Sequence, residues 1–299
     1  MSLPAATMPD PPYDASVATA TKPRTDSQNS SSPADEREKV ARNAKSDRLN
    51  PKEHGAYAIL GIPLVAALII SGLTPETVLV AIAAVAAFLA HEPLLIISGS
   101  RGKRARESTP FVTRTLIVRL SIAVVCGTTA FCLSGNATRF GLIACVVFAS
   151  LEFVISTGGH NRTLAAQLLG IGGLALPSAV VLLAGGIEIT TAVQFWLIWF
   201  AGRVATTVSV RSTITRHKIS ATAWAKRTCD ILLFISFLAC FAGIGIGSSL
   251  WIVTIPMLLA ATVMRITTPH PKHMKQIGWS LLMVNILSGV VAIGAWNYF

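Results

Sequence analysis

The stretch Thr77–Ile97, TVLVAIAAVAAFLAHEPLLII, decides what kind of protein this is. It is as long as the roughly 20 apolar residues that a helix needs to cross the hydrocarbon core of a bilayer. A surface helix of a soluble protein would carry a polar stripe along its whole length; here the only titratable groups, His91 and Glu92, sit together near one end, beside Pro93. The run is followed at once by Arg101, Lys103, Arg104 and Arg106. An apolar span that ends in a cationic loop is the mark of a membrane helix whose end lies in the cytoplasm.

The same pattern recurs on both sides of this stretch. Apolar segments fall near 55–73, 77–97, 116–134, 140–157, 164–185, 190–210, 229–247, 249–264 and 278–297. The expected fold is therefore all-α, a polytopic membrane bundle of nine helices. The fourth and eighth segments are the shortest. A re-entrant pair over 229–264 is the competing topology.

Composition agrees. Apolar residues make up 52% of the chain and charged residues 13%, with a mean hydropathy of +0.61. A soluble domain carries roughly 25% charged residues. Residues 1–49 hold seven charges of each sign, so the net +11 belongs to residues 50–299. Basic excess on so apolar a chain fits membrane orientation; no basic, aromatic-studded soluble face is present for nucleic acid. The chain divides into a tail, 1–49, too poor in large apolar residues to bury a core and expected to be disordered in the cytoplasm, and a transmembrane domain, 50–299. The tail has no basic segment followed by an apolar one, so the first span is expected to act as the insertion signal.

Loop charges set the direction. With the amino terminus inside, the inner loops hold fourteen Lys and Arg, among them Arg114, Arg162, Arg211, Arg216, Arg227, Arg265 and Lys275, and the outer loops hold only Arg139. One helix more or fewer would put a basic loop outside. The carboxyl terminus is then expected outside.

An ionisable group within a span costs about 2.5–3.5 kcal/mol on insertion scales. Placed by depth, His54, His91, Glu92, Arg119, Glu152, Gln167, Arg203, Asp230 and Asn285 all fall in the cytoplasmic half. The pattern predicts a polar pocket open to the cytoplasm above an apolar outer floor. Arg119 is expected to snorkel, Asp230 to cap its helix, and Gln167 and Asn285 to bond neighbouring helices. Glu92, Glu152 and Arg203 are expected to share an interior site, because burial without partners would be costly. Trp199 lies one turn from Arg203, within reach of a cation–π contact.

Pro63, Pro93, Pro177 and Pro256 each remove a backbone donor and free the carbonyl four residues earlier. Gly170, Gly172 and Gly173, like Gly243, Gly245 and Gly247, are expected to allow close helix approach. The five cysteines match no metal spacing and no disulfide framework and are expected to be packing residues. His270 and His273 flank Pro271 and Lys272 in a basic loop and are not expected to hold zinc.

The run Pro51-Lys52-Glu53-His54-Gly55-Ala56-Tyr57 resembles the opening of the YwiC-like family of bacterial membrane proteins. Phe200–Arg203 through Val210-Arg211, and Lys275–Trp279, resemble that family's sixth and last helices. The resemblance covers residues 50–299 and implies a multi-pass protein of the bacterial cytoplasmic membrane, without an activity. A weaker resemblance is to the UbiA superfamily of intramembrane prenyltransferases. It rests on the nine-helix count, the two basic loops after the second and sixth helices, and the passage His160–Thr163 to Gln167–Gly170. It implies a cytoplasmic diphosphate site. The Asp-rich motifs that hold Mg²⁺ in that superfamily have no counterpart here, so no cofactor and no Mg²⁺ are expected.

Three functions follow from these residues. The first is a site for an anionic lipid or isoprenoid phosphate. In it His54, Arg101, Arg104, Arg162, Arg203, Arg211 and Arg216 hold the headgroup, and His91, Glu92 and Glu152 serve as acid or base. The second is a transporter, which predicts polar groups on both sides of the membrane. The third is a scaffold whose basic loops meet anionic lipid. The sequence leaves enzyme, transporter and scaffold open.

Overall fold

The computed structural model describes residues 54–100, 109, 111–159, 163–216, 223–270 and 273–296. Among them are nine α-helices: α1 His54–Ser71, α2 Pro75–Ile97, α3 Val112–Leu133, α4 Asn136–Thr157, α5 Leu164–Ala184, α6 Ile189–Arg216, α7 Ala223–Gly245, α8 Ile255–Thr267 and α9 Met274–Trp296. Eight helical stretches are long and apolar enough to cross a membrane, and α1 is a shorter apolar helix. The chain is a multi-pass, all-helical membrane protein.

Short turns join α1 to α2, α3 to α4 and α5 to α6 at one face of the bundle. The other ends of these helices, between which the sequence is longer and basic, make up the basic face. Local sequence fixes several of these ends. Thr74 caps α2 in a reciprocal exchange with Thr77, with Pro75 in the first turn, where its missing N–H costs nothing. Thr163 caps α5 by accepting from Ala166 N.

The segment before α8 gives 229–264 two stretches long and apolar enough to cross a membrane. Ser249–Thr254 forms a 3₁₀ helix that runs straight into α8. Pro256 cannot donate to Ile252, and Ile255 N–H bonds that carbonyl instead. Six residues rising about 2.0 Å each and thirteen rising about 1.5 Å reach about 31 Å, enough for a ~30 Å core. A stretch that looked short thus gains its length from the tighter helix and reads as one span.

The helices extend further than their apolar runs. α6 has 28 residues, about 42 Å at 1.5 Å per residue. Arg211 and Arg216, expected in a loop, lie on its last turns, and Arg227 lies on α7 rather than before it. Arg114, Arg265 and Lys275 are likewise helical. Backbone hydrogen bonds continue into the headgroup region, where long basic side chains reach water.

Packing is uneven. α1 lies against α5 and α9, and α6 against α5, α7 and α8. Phe195, Ile198, Trp199, Val253 and Met257 are fully buried in the main core. By contrast, α3 packs along α2 and α4 along α5, while α3 and α4 touch little beyond their turn.

Candidate functional site

Four helices and the end of a fifth enclose a cavity of about 1490 Å³. Its walls are made of small residues: Ala83, Ala84 and Ala87 on α2, Ala123 and Gly127 on α3, Ala149 on α4, and Gly170 and Gly173 on α5. Side chains this short leave the space between helices unfilled. Gly55, Ala56, Ile59 and Leu60 of α1 complete the lining, with Thr207 from α6. Along α2 the lining runs from Val80 to Ile96, about 24 Å, which is most of the thickness of a hydrocarbon core.

The cavity changes character along its length. Near the face with the short turns it is lined by Val80, Phe131, Leu142 and Pro177; near the basic face it is lined by His91, Glu92, Glu152 and Gln167. Glu92 and Glu152 each stand five residues before the end of their helix, about 7.5 Å in, so both carboxylates enter at one depth. Glu92 is 8% exposed. Glu152 lies on the backbone of α5, where a Cβ built on Gly170 would meet its Oε1 at 3.3 Å. Gly170 therefore makes room for the carboxylate. His91 Nε2 is buried with no hydrogen-bond partner among the described residues. Gln167, one turn below Gly170, accepts a 2.9 Å hydrogen bond from Arg211 Nη1 on α6, which brings a guanidinium to the mouth. Among the described residues no three His, Cys, Asp or Glu side chains converge to hold a metal ion.

The buried arginines are used differently from the expectation. Arg203, 7% exposed, does not line the cavity; its Nη2 donates to Ala58 O at 2.9 Å. Its Nε is buried with no hydrogen-bond partner among the described residues. Because α6 runs on to Arg216, Arg203 lies near its middle rather than two turns from the basic face. Arg119 Nη1 donates to Leu89 O at 2.6 Å. Trp196 Nε1 donates to Gly172 O at 2.9 Å. Leu89 lies four residues before Pro93, so its carbonyl is the one that the proline leaves without an intrahelical donor, and Arg119 supplies a donor from the neighbouring helix. Ala58 and Gly172 lie five residues before Pro63 and Pro177, one residue short of the carbonyls that those prolines free.

Other expectations meet corrections of the same kind. Trp199 packs edge-on to Phe195, and the cation–π contact among the described residues is Arg139 over Phe131. Asp230 lies two turns inside α7, which begins at Ala223, so it cannot cap that helix; it pairs with Arg265 of α8, which also donates to Ser212 of α6 at 2.7 Å. Asn285 bonds Leu281 O on its own helix, and its Oδ1 has no partner among the described residues. Gln167 does bond a neighbouring helix, and the glycines of α5 do allow close approach, Gly172 and Gly173 facing Phe148. All five cysteines are free thiols. Residues 1–49, Arg101, Arg104 and Arg162 lie outside the described residues, as do the side chains of His54 and Arg216.

Two features were missed in the sequence. The alanine run of α2 signalled the cavity, since consecutive short side chains cannot fill a helix interface. Polarity at the far face was missed as well. There Ser248 Oγ donates to Gln194 Oε1 at 3.0 Å in a smaller pocket that Glu188 also lines.

Residues 50–182 match the family described as YwiC-like protein. The matched stretch holds α1 to α4 and nearly all of α5, and every cavity-lining residue except Thr207. The similarities noted at Phe200–Arg211 and Lys275–Trp279 lie beyond it. Comparison with curated proteins and with solved structures gives no match.

Proposed function

We propose that the YwiC-like stretch forms a lipid-binding site of the bacterial cytoplasmic membrane, with the amino terminus in the cytoplasm. The cavity takes the chain of an anionic lipid or isoprenoid phosphate, and the basic face takes its headgroup. One observation carries the reading: a cavity nearly as long as the hydrocarbon core, apolar at one end and lined by His91, Glu92, Glu152 and Gln167 at the other. A chain fills the apolar length, and Arg211 at the mouth, with Arg101, Arg104, Arg162 and Arg216 of the basic connections, supplies guanidinium forks for phosphate oxygens. His91, Glu92 and Glu152 stand where chain meets headgroup, the position from which an acid or base would act on a lipid ester.

Lipid extraction and mass spectrometry of the purified protein test this. The expected result is a retained anionic lipid that Arg101→Ala plus Arg211→Ala depletes by at least tenfold, about 1.4 kcal/mol of headgroup contact. An unchanged lipid complement would sink it.

A transporter is the second reading, favoured by Gln194, Ser248 and Glu188 at the opposite face, because alternating access needs polar groups on both sides. Phe195, Ile198 and Trp199 form a fully buried apolar layer next to Gln194 on α6, so the lipid reading ranks first. Flux of a lipid-free organic anion into vesicles, abolished by Gln194→Leu, would reverse that order.

A further inference from the structure

We infer that the lipid reaches the cavity sideways from the bilayer, through a gap between α3 and α4, and that its chain never passes through water. The inference rests on the lipid reading above and deepens it, since it restricts the ligand to molecules that already lie in the leaflet. The cavity has two kinds of wall. Lining residues on α2 and α5, such as Val80, Ile96 and Ile171, are buried, whereas Val124 on α3 and Val146 on α4 are 56% and 66% exposed. Along the whole of α3 only Val112 and Ala130 are buried, and along α4 only Thr138. These two helices are the exposed walls of the cavity.

Their connection shows where the gap opens. α3 and α4 are held together at their turn, where Arg139 Nε of α4 donates to Phe131 O of α3 at 2.9 Å and the guanidinium lies over the Phe131 ring. From there each follows its own neighbour, α3 along α2 and α4 along α5, with little contact between them. The gap therefore widens toward the basic face, at the level where Glu92 and Glu152 enter the cavity. Each exposed wall is tied back there: Arg119 fastens α3 to Leu89 O of α2, and Glu152 rests on Gly170 of α5. A phospholipid or isoprenoid phosphate of the adjoining leaflet has its headgroup at that level and its chain along the gap. The match of polar end to polar end and chain to apolar length is why a lipid, rather than a second copy of the chain, is assigned to this opening.

A photo-crosslinker tests the route. p-Benzoylphenylalanine is incorporated at Ala87, or at Ala149 as a second site, both lining the cavity, and the protein is irradiated in vesicles of phosphatidylglycerol and phosphatidylethanolamine. A covalent lipid adduct is expected at either site. Val124→Trp with Val146→Trp, which fills the gap, should abolish most of it. Ile117→Trp with Val154→Trp, on exposed positions that do not line the cavity, should leave it unchanged and shows that the bundle tolerates two added indoles. Adduct yield indifferent to the gap-filling pair overturns the inference, as does crosslinking of Val146 positions between two copies. If the adduct obeys the gap while lipid composition ignores Arg101→Ala plus Arg211→Ala, the route stands and the headgroup reading falls; the converse pair of results removes the route alone.

Discussion

The two ends of the chain solve the problem of packing in a membrane in opposite ways. In α6, α7 and α8, large side chains interlock: Met257 fills the space over Gly202, the Trp251 indole lies on Gly243, and Thr254 bonds Cys240. In α2 to α5, alanines and glycines line a cavity, although Phe148 packs on Gly172 and Gly173. Lipid tails are as apolar as leucine, so association within a bilayer depends on close packing and on polar contacts between helices. The proposed lipid would fill the side along which this region lacks such packing. The contrast also separates the YwiC-like stretch from the rest of the chain, because the cavity falls almost wholly inside the match.

The contrast breaks if substitutions in the two regions behave alike. The largest effect is expected in the packed region. Trp199 is fully buried, and truncation of a buried tryptophan to alanine costs roughly 3–5 kcal/mol. Thermal unfolding in detergent should show Trp199→Ala well below the wild type. Ala87→Leu, which adds volume to the cavity wall, should stay within about 0.5 kcal/mol, as at an exposed site, yet retain less lipid. Equal destabilisation by the two would mean that the cavity is packed core.

A middle-sized effect sharpens the account of the arginines. Arg203→Met removes the donor to Ala58 O and should cost about 1.5–3 kcal/mol, the range for a hydrogen bond to a charged group, with lipid retention unchanged in the protein that folds. Lost lipid at full stability would place Arg203 in the lipid site.

The smallest effect on stability is expected at Glu92 and Glu152. Glu92→Gln with Glu152→Gln keeps shape while removing charge and turning one acceptor of each side chain into a donor, so the unfolding temperature should fall less than in the other variants while the lipid complement changes and the variant fails to rescue a deletion strain. Full rescue would favour a scaffold.

The sequence carried the fold well because a span needs only length and apolarity, and loop charge checks the count. Helix ends were less legible: Arg211 and Arg227 looked like loop residues because polarity marks the bilayer boundary, whereas backbone hydrogen bonding marks the helix boundary. The site was legible in part. His91, Glu92, Glu152 and Gln167 could be placed by depth, and all four line one cavity. Depth says nothing of direction around the helix axis, which is why Arg203 was grouped with carboxylates whose cavity it does not line. Pro93 held part of the missing information: the carbonyl that it frees, Leu89 O, accepts from Arg119.

The most direct test of the central claim is a density map of the protein in lipid nanodiscs. The account predicts one elongated density along α2 from the level of Glu92 and Glu152 to that of Pro177, with its thicker end at the basic face and continuity with the bilayer between α3 and α4. A cavity filled from within by the chain's own side chains, or α3 and α4 closed against each other over an empty space, would contradict it.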